Sequence, residues 1–96
     1  MTTEQVIEAI YQDAMKRTKD GRYDVDTDDF FCEYTLEYRE IVDKGTPHVT
    51  PDETIEIREI FIVEGMNKPA TEDDSFESWT YAQIEEIQNA VNEILK

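Results

Sequence analysis

Apolar residues recur along the first part of the chain at steps of three and four. Val6, Ile7, Ile10, Tyr11, Ala14 and Met15 fall on one stripe of a helix. Ahead of them, Thr2 and Gln5 have the spacing of a capping box, in which the threonine hydroxyl accepts the residue-5 N–H and the glutamine reaches back. Lys16, Arg17 and Lys19 fall where positive charge opposes the helix dipole, and Gly21 suits the left-handed position past a helix end. The pattern predicts a helix from about Thr3 to Lys19.

The same grammar returns at the other end. Thr80 and Gln83 form a second capping box, and Trp79 before it is placed to pack on Ile84 as a hydrophobic staple. Ile84, Ile87, Val91, Ile94 and Leu95 line one face, with Ala90 at its edge, while Glu85, Glu86 and Glu93 lie on or near the other. The two starts, TTEQVIE and TYAQIEE, look alike through shared capping chemistry. Nothing else in the chain is duplicated, so they are not an internal repeat.

Between the helices the period changes to two. Phe30, Cys32, Tyr34, Leu36 and Tyr38 alternate with Phe31, Glu33, Thr35, Glu37 and Arg39, and residues 54–63 are rich in β-branched side chains. An antiparallel pairing in which residue numbers sum to about 96 sets Leu36 against Ile60, Tyr34 against Ile62 and Ile41 against Ile55. Such apolar pairs contribute roughly 0.2–1 kcal/mol each. The apolar phase slips from Ile55 and Ile57 to Ile60 and Ile62. Either a bulge sits near Glu59 or both sheet faces are partly covered, one by the helices and the other by a second subunit. Asp43–Glu53, with Gly45, Pro47 and Pro51, reads as the hairpin loop; its Thr50-Pro51 resembles a helix start of one turn at most. Arg22–Val25 and Ser75–Trp79 read as short edge strands, and Gly65–Asp74 as a mobile loop. The expected fold is α+β in α-β-β-α order: a small antiparallel sheet, built on one long hairpin, packed by an N-terminal and a C-terminal helix.

Length allows one domain, residues 1–96, with a modest core. Charge changes the picture more. Twenty-four Asp and Glu stand against nine Lys and Arg, a net charge of −15. That argues against direct nucleic-acid binding and against an anionic membrane, both of which require cations to meet phosphate. The acids are interleaved with apolar residues, which make up 39% of the chain, so the sequence is not a disordered acidic tail. Self-repulsion must nevertheless be overcome in folding. Moderate salt, or lowering the pH from 7 to 6, is therefore expected to raise the melting temperature in a thermal scan; a fall under both would contradict this. A lone Cys32 permits no intrachain disulfide, Met1–Glu4 lacks the start of a signal peptide, and no apolar run approaches the ~20 residues of a membrane span. The cytoplasm is the expected compartment.

Candidate chemistry is sparse. Asp24, Asp26, Asp28 and Asp29 form the densest carboxylate cluster, but a calcium loop counted from Asp24 would place Asp29 where glycine is needed and Thr35 where glutamate is needed. These residues read instead as a solvated turn whose aspartates cap backbone N–H groups. His48 lies in the hairpin loop without partners, and Cys32 reads as a small core residue. The three glycines are far apart and form no phosphate loop. Lys16, Arg17, Lys19 and Arg22 read as dipole compensation among neighbouring aspartates. Most of the aromatic rings fill the core, while some stand among carboxylates as at an interface.

No catalytic residue, metal site or cofactor is expected. The composition points to a non-enzymatic acidic domain that docks on a basic protein partner. Its sharpest form is a nucleic-acid mimic of phage or mobile-element type, which inhibits a nucleic-acid-binding protein by presenting carboxylates where phosphates would lie. The residues expected to carry docking are Asp24, Asp26, Asp28, Asp29, Glu33 and Glu37, then Glu72, Asp73 and Asp74. The alternatives are a homodimeric structural or accessory domain with incidental acidity, and a divalent-cation-binding module at the Asp24–Asp29 turn.

Overall fold

A computed structural model describes residues 2–43, 53–69 and 75–96. The element order is α1 (Thr3–Met15), β1 (Gly21–Asp26), β2 (Phe30–Asp43), β3 (Glu53–Asn67), β4 (Glu77–Ser78) and α2 (Tyr81–Leu95). This is the expected α+β arrangement, with both edge strands present. The four strands form one antiparallel sheet in the order β1-β2-β3-β4. Residues 44–52 of the hairpin loop, with His48 and the helix-like start at Thr50, lie outside the described residues, as does the 70–74 part of the segment read as a mobile loop; its first residues, Gly65–Asn67, are instead paired with β2 as the end of β3.

Both capping boxes form. Gln5 N–H donates to Thr2 Oγ1 at 3.3 Å while Thr2 N–H donates to Gln5 Oε1 at 2.9 Å; the equivalent pair at Thr80 and Gln83 measures 3.2 and 2.8 Å. Each cap contributes about 1 kcal/mol. The first helix nevertheless ends four residues early, at Met15 with Lys16 as C-cap. The reason is tertiary. Gly21 is the first residue of β1, paired with Leu36, rather than a helix cap. The Asp20 carboxylate accepts the Tyr38 N–H and so continues the ladder one step beyond the strand. The cation at the helix end comes from β3: buried Arg58 donates through Nε to the Arg17 carbonyl at 3.0 Å. Arg17 itself pairs with Asp13 at 3.3 Å and lies over the Tyr23 ring, 4.4 Å from its centroid.

The hairpin register is the one the apolar alternation implied. Leu36 faces Ile60, Tyr34 faces Ile62 and Ile41 faces Ile55. The irregularity is not near Glu59, where the ladder is unbroken; it falls between Glu33 and Tyr34, opposite Val63. The phase slip in β3 has another cause. Ile60 and Ile62 point to the helix-covered face and are buried, whereas Ile55 and Ile57 point to the opposite face.

The core lies wholly on the helix side. Val6, Ile10 and Ala14 of α1, and Ile87 and Val91 of α2, meet Val25, Phe30, Cys32, Tyr34, Leu36, Ile60, Ile62 and Trp79. Full burial of each larger apolar side chain contributes about 1.5–3 kcal/mol. Cys32 is fully buried, and burial pushes its thiol up to about 12. Tyr34 is also fully buried, its hydroxyl donating to the Asp13 carboxylate, and burial followed by that contact raises its pKa. The Trp79 ring lies over Gly65 and stacks on Phe30 at 6.0 Å, and its Nε1–H donates to Asn67 Oδ1 at 2.9 Å.

The second helix also closes a sheet edge. Ile60 N–H donates to Asn92 Oδ1 at 2.8 Å, Asn92 Nδ2 donates back to the Ile60 carbonyl at 3.0 Å, and Ile62 N–H donates to Gln88 Oε1 at 2.8 Å. Two side chains one helical turn apart thus stand in for a neighbouring strand along the open side of β3.

Candidate interaction face

Strand alternation carries every second side chain of the long hairpin to the face without helices. On β1 these are Arg22, Asp24 and Asp26; on β2, Phe31, Glu33, Thr35, Glu37, Arg39 and Ile41. On β3 they are Ile55, Ile57, Glu59, Phe61, Val63, Glu64 and Met66. Val63 and Glu64 both oppose Glu33 because of the bulge, which shifts the parity of everything beyond it.

Acids meet acids across this face. Asp24 pairs with Glu33, and Glu33 in turn with Glu64, so three carboxylates stand abreast on three strands. Four residues further along, Glu37 pairs with Glu59. Like charges directly opposite destabilise a sheet. Arg22, whose Nε lies 3.4 Å from Glu33 Oε1, relieves only part of this.

Four of the expected docking residues are therefore brought to one face: Asp24, Asp26, Glu33 and Glu37. Asp26 is already engaged with the Lys68 ammonium. Asp28 and Asp29 are exposed in the β1–β2 turn, but they do not cap it as expected. Thr27 does: its Oγ1 accepts the Asp29 N–H at 3.2 Å and the Phe30 N–H at 3.1 Å. A hydroxyl at the first turn position reaches those N–H groups, leaving the aspartates turned to water. Glu72, Asp73 and Asp74 lie outside the described residues. Among the described residues, no group of three or more His, Cys, Asp or Glu side chains is arranged to hold a metal ion.

Two members of the acidic rows, Glu59 and Glu64, lie outside the docking set expected from the sequence. Glu59 shares the parity of Ile57 and Phe61 and was findable by alternation. Glu64 was not, because its parity depends on a bulge made of valine and glutamate rather than glycine.

The basic cluster is spent internally in part, Arg17 on Asp13 and Tyr23 and Arg22 on Glu33. Beside the acids runs an apolar row on β3: Ile55, Phe61 and Val63 are 41–50% exposed, with Ile57 and Met66 half-buried in the same line. No helix among the described residues is long and apolar enough to cross a membrane. No family model matches the chain, nor does any curated protein or solved structure.

Proposed function

We propose that this is a non-enzymatic interaction domain whose helix-free sheet face docks on a basic protein surface. In its sharpest form the partner is a nucleic-acid-binding protein whose phosphate-binding groove the carboxylates occupy, as an inhibitor of phage or mobile-element type would. The observation that carries this reading is the row Asp24–Glu33–Glu64 with Glu37–Glu59 beside it. Those carboxylates repel one another in the free protein, and cations arriving from a partner relieve the repulsion, so docking gains energy that neutral residues would not supply. Neighbouring strands hold the three carboxylate residues abreast at about 4.8 Å spacing, and the Glu37–Glu59 pair follows about 14 Å further along the sheet.

The test is retention of binding proteins from a native lysate on the immobilised domain, eluted with salt. One dominant nucleic-acid-binding protein, released between about 50 and 500 mM NaCl and competed by DNA or RNA, is the expected result. Replacing Glu33 and Glu37 by glutamine should abolish that retention. Capture of abundant basic proteins in proportion to their charge, unaffected by the substitutions, would sink the proposal.

A homodimer is the second reading, favoured by the Ile41–Ile55 pair, both about half exposed on the face that no helix covers. Sedimentation would then show a dimer insensitive to salt. A calcium-dependent rise in melting temperature would point instead to a cation at the Asp24–Asp29 turn.

A further inference from the structure

The uncovered face is divided lengthwise by chemistry. Its β1 and β2 rows hold Asp24, Asp26, Glu33 and Glu37, interspersed with Arg22, Phe31, Thr35, Arg39 and Ile41; its β3 row is the more apolar, with Ile55, Ile57, Phe61, Val63 and Met66 interrupted by Glu59 and Glu64. A ligand that answered only the charge would leave the apolar row in water. A second copy of this chain laid face to face would cover that row at the cost of bringing acids against acids.

From this division we infer that the occupant is a basic amphipathic helix of the partner protein, with its apolar stripe on the β3 row and its lysines or arginines over β1 and β2. The inference rests on the docking reading above and names the partner element. The dimensions agree. The β1 and β3 rows lie about 10 Å apart, two strand spacings, against a helix diameter of about 10–12 Å. From Ile55 to Met66 the apolar row runs about 36 Å, the length of roughly 24 helical residues. A helix here would make the sheet the middle of three layers, with α1 and α2 on its other face, an ordinary solution for burying both sides of a sheet.

The experiment uses fluorescence anisotropy with the full chain at about 150 mM NaCl. The probe is a synthetic leucine–lysine peptide of about 18 residues whose leucines share one helical stripe, compared with a scrambled peptide of the same composition. The striped peptide should bind about tenfold more tightly than the scrambled one. The decisive variants are Phe61→Glu and Val63→Glu, which add negative charge while removing apolar surface. Both positions are exposed, and far-UV circular dichroism checks that each variant is folded. Affinity for the striped peptide should fall about tenfold in each. Unchanged or tighter binding by the glutamate variants, or equal affinity for the two peptides, would overturn the helix inference and leave a purely electrostatic surface. Undiminished binding of both peptides after Glu33→Gln and Glu37→Gln would sink the acidic docking reading itself. Dimerisation of the free chain through this face would also overturn the inference.

Discussion

Gly65→Ala is expected to lower the melting temperature by roughly 15 °C, from a cost of about 3 kcal/mol at ~4–8 °C per kcal/mol in a domain this size. A Cβ at residue 65 would stand 2.0 Å from Trp79 Cε3, 2.4 Å from Cζ3 and 2.5 Å from Cδ2. Those atoms belong to a rigid ring with little freedom to retreat. The indole is stacked on Phe30, its Nε1–H is held by Asn67, and its backbone N–H donates to the Gly65 carbonyl at 2.9 Å. Relief requires moving the ring out of the core or parting β3 from β4, and either also loosens the entry to α2. Thermal denaturation of the single variant measures the cost. The mechanism is tested by a double-mutant cycle with Trp79→Leu: once the ring is gone, the alanine should cost less than about 0.5 kcal/mol. An unperturbed melting temperature in Gly65→Ala would show that the ring and strand are not locked together.

Asn92→Ala should destabilise the fold by about 2–4 kcal/mol and make it prone to associate, because it strands two backbone groups of a fully buried residue. Ile60 has no solvent exposure, and its N–H and C=O both end on the Asn92 amide. Alanine can satisfy neither. Amide hydrogen exchange gives the sharper readout: the Ile60 amide should lose protection, while the Ile62 amide, held by Gln88, keeps more of it. Asn89→Ala, on the exposed side of the same helix, is the control and should shift stability by less than about 0.5 kcal/mol. Equal protection of the Ile60 amide in Asn92→Ala and the parent would refute the edge-closing role.

The two ends of the chain were legible because capping is local chemistry. Thr2 with Gln5 and Thr80 with Gln83 satisfy orphan N–H groups within one turn, so short windows of sequence define where both helices begin. The hairpin register was legible because alternation has only two phases and the buried set of β2 matches that of β3 in one alignment. The end of α1 was not legible. It depends on Arg58 arriving from 41 residues away and on Asp20 reaching Tyr38, contacts that leave no trace in a helical window.

The candidate face divides in the same way. Alternation in the sequence determined that Glu33 and Glu37 share a side and that the chain carries far more acid than base. Only the tertiary structure decided that Asp24, Glu33 and Glu64 stand abreast, because that row needs three strands in register and a bulge that shifts Glu64 onto it. Only the packing decided which side is open. Ile55 and Ile57 are as apolar as Ile60 and Ile62, and their fates differ because both helices settle on one face of the sheet. Nothing in the sequence of α2 names a partner for Gln88 and Asn92, yet the fold spends them on the edge of β3. Composition and periodicity are properties of a segment, so the sequence by itself determined the elements and their phases. Face and edge are relations between segments, and they exist only once distant parts of the chain have met.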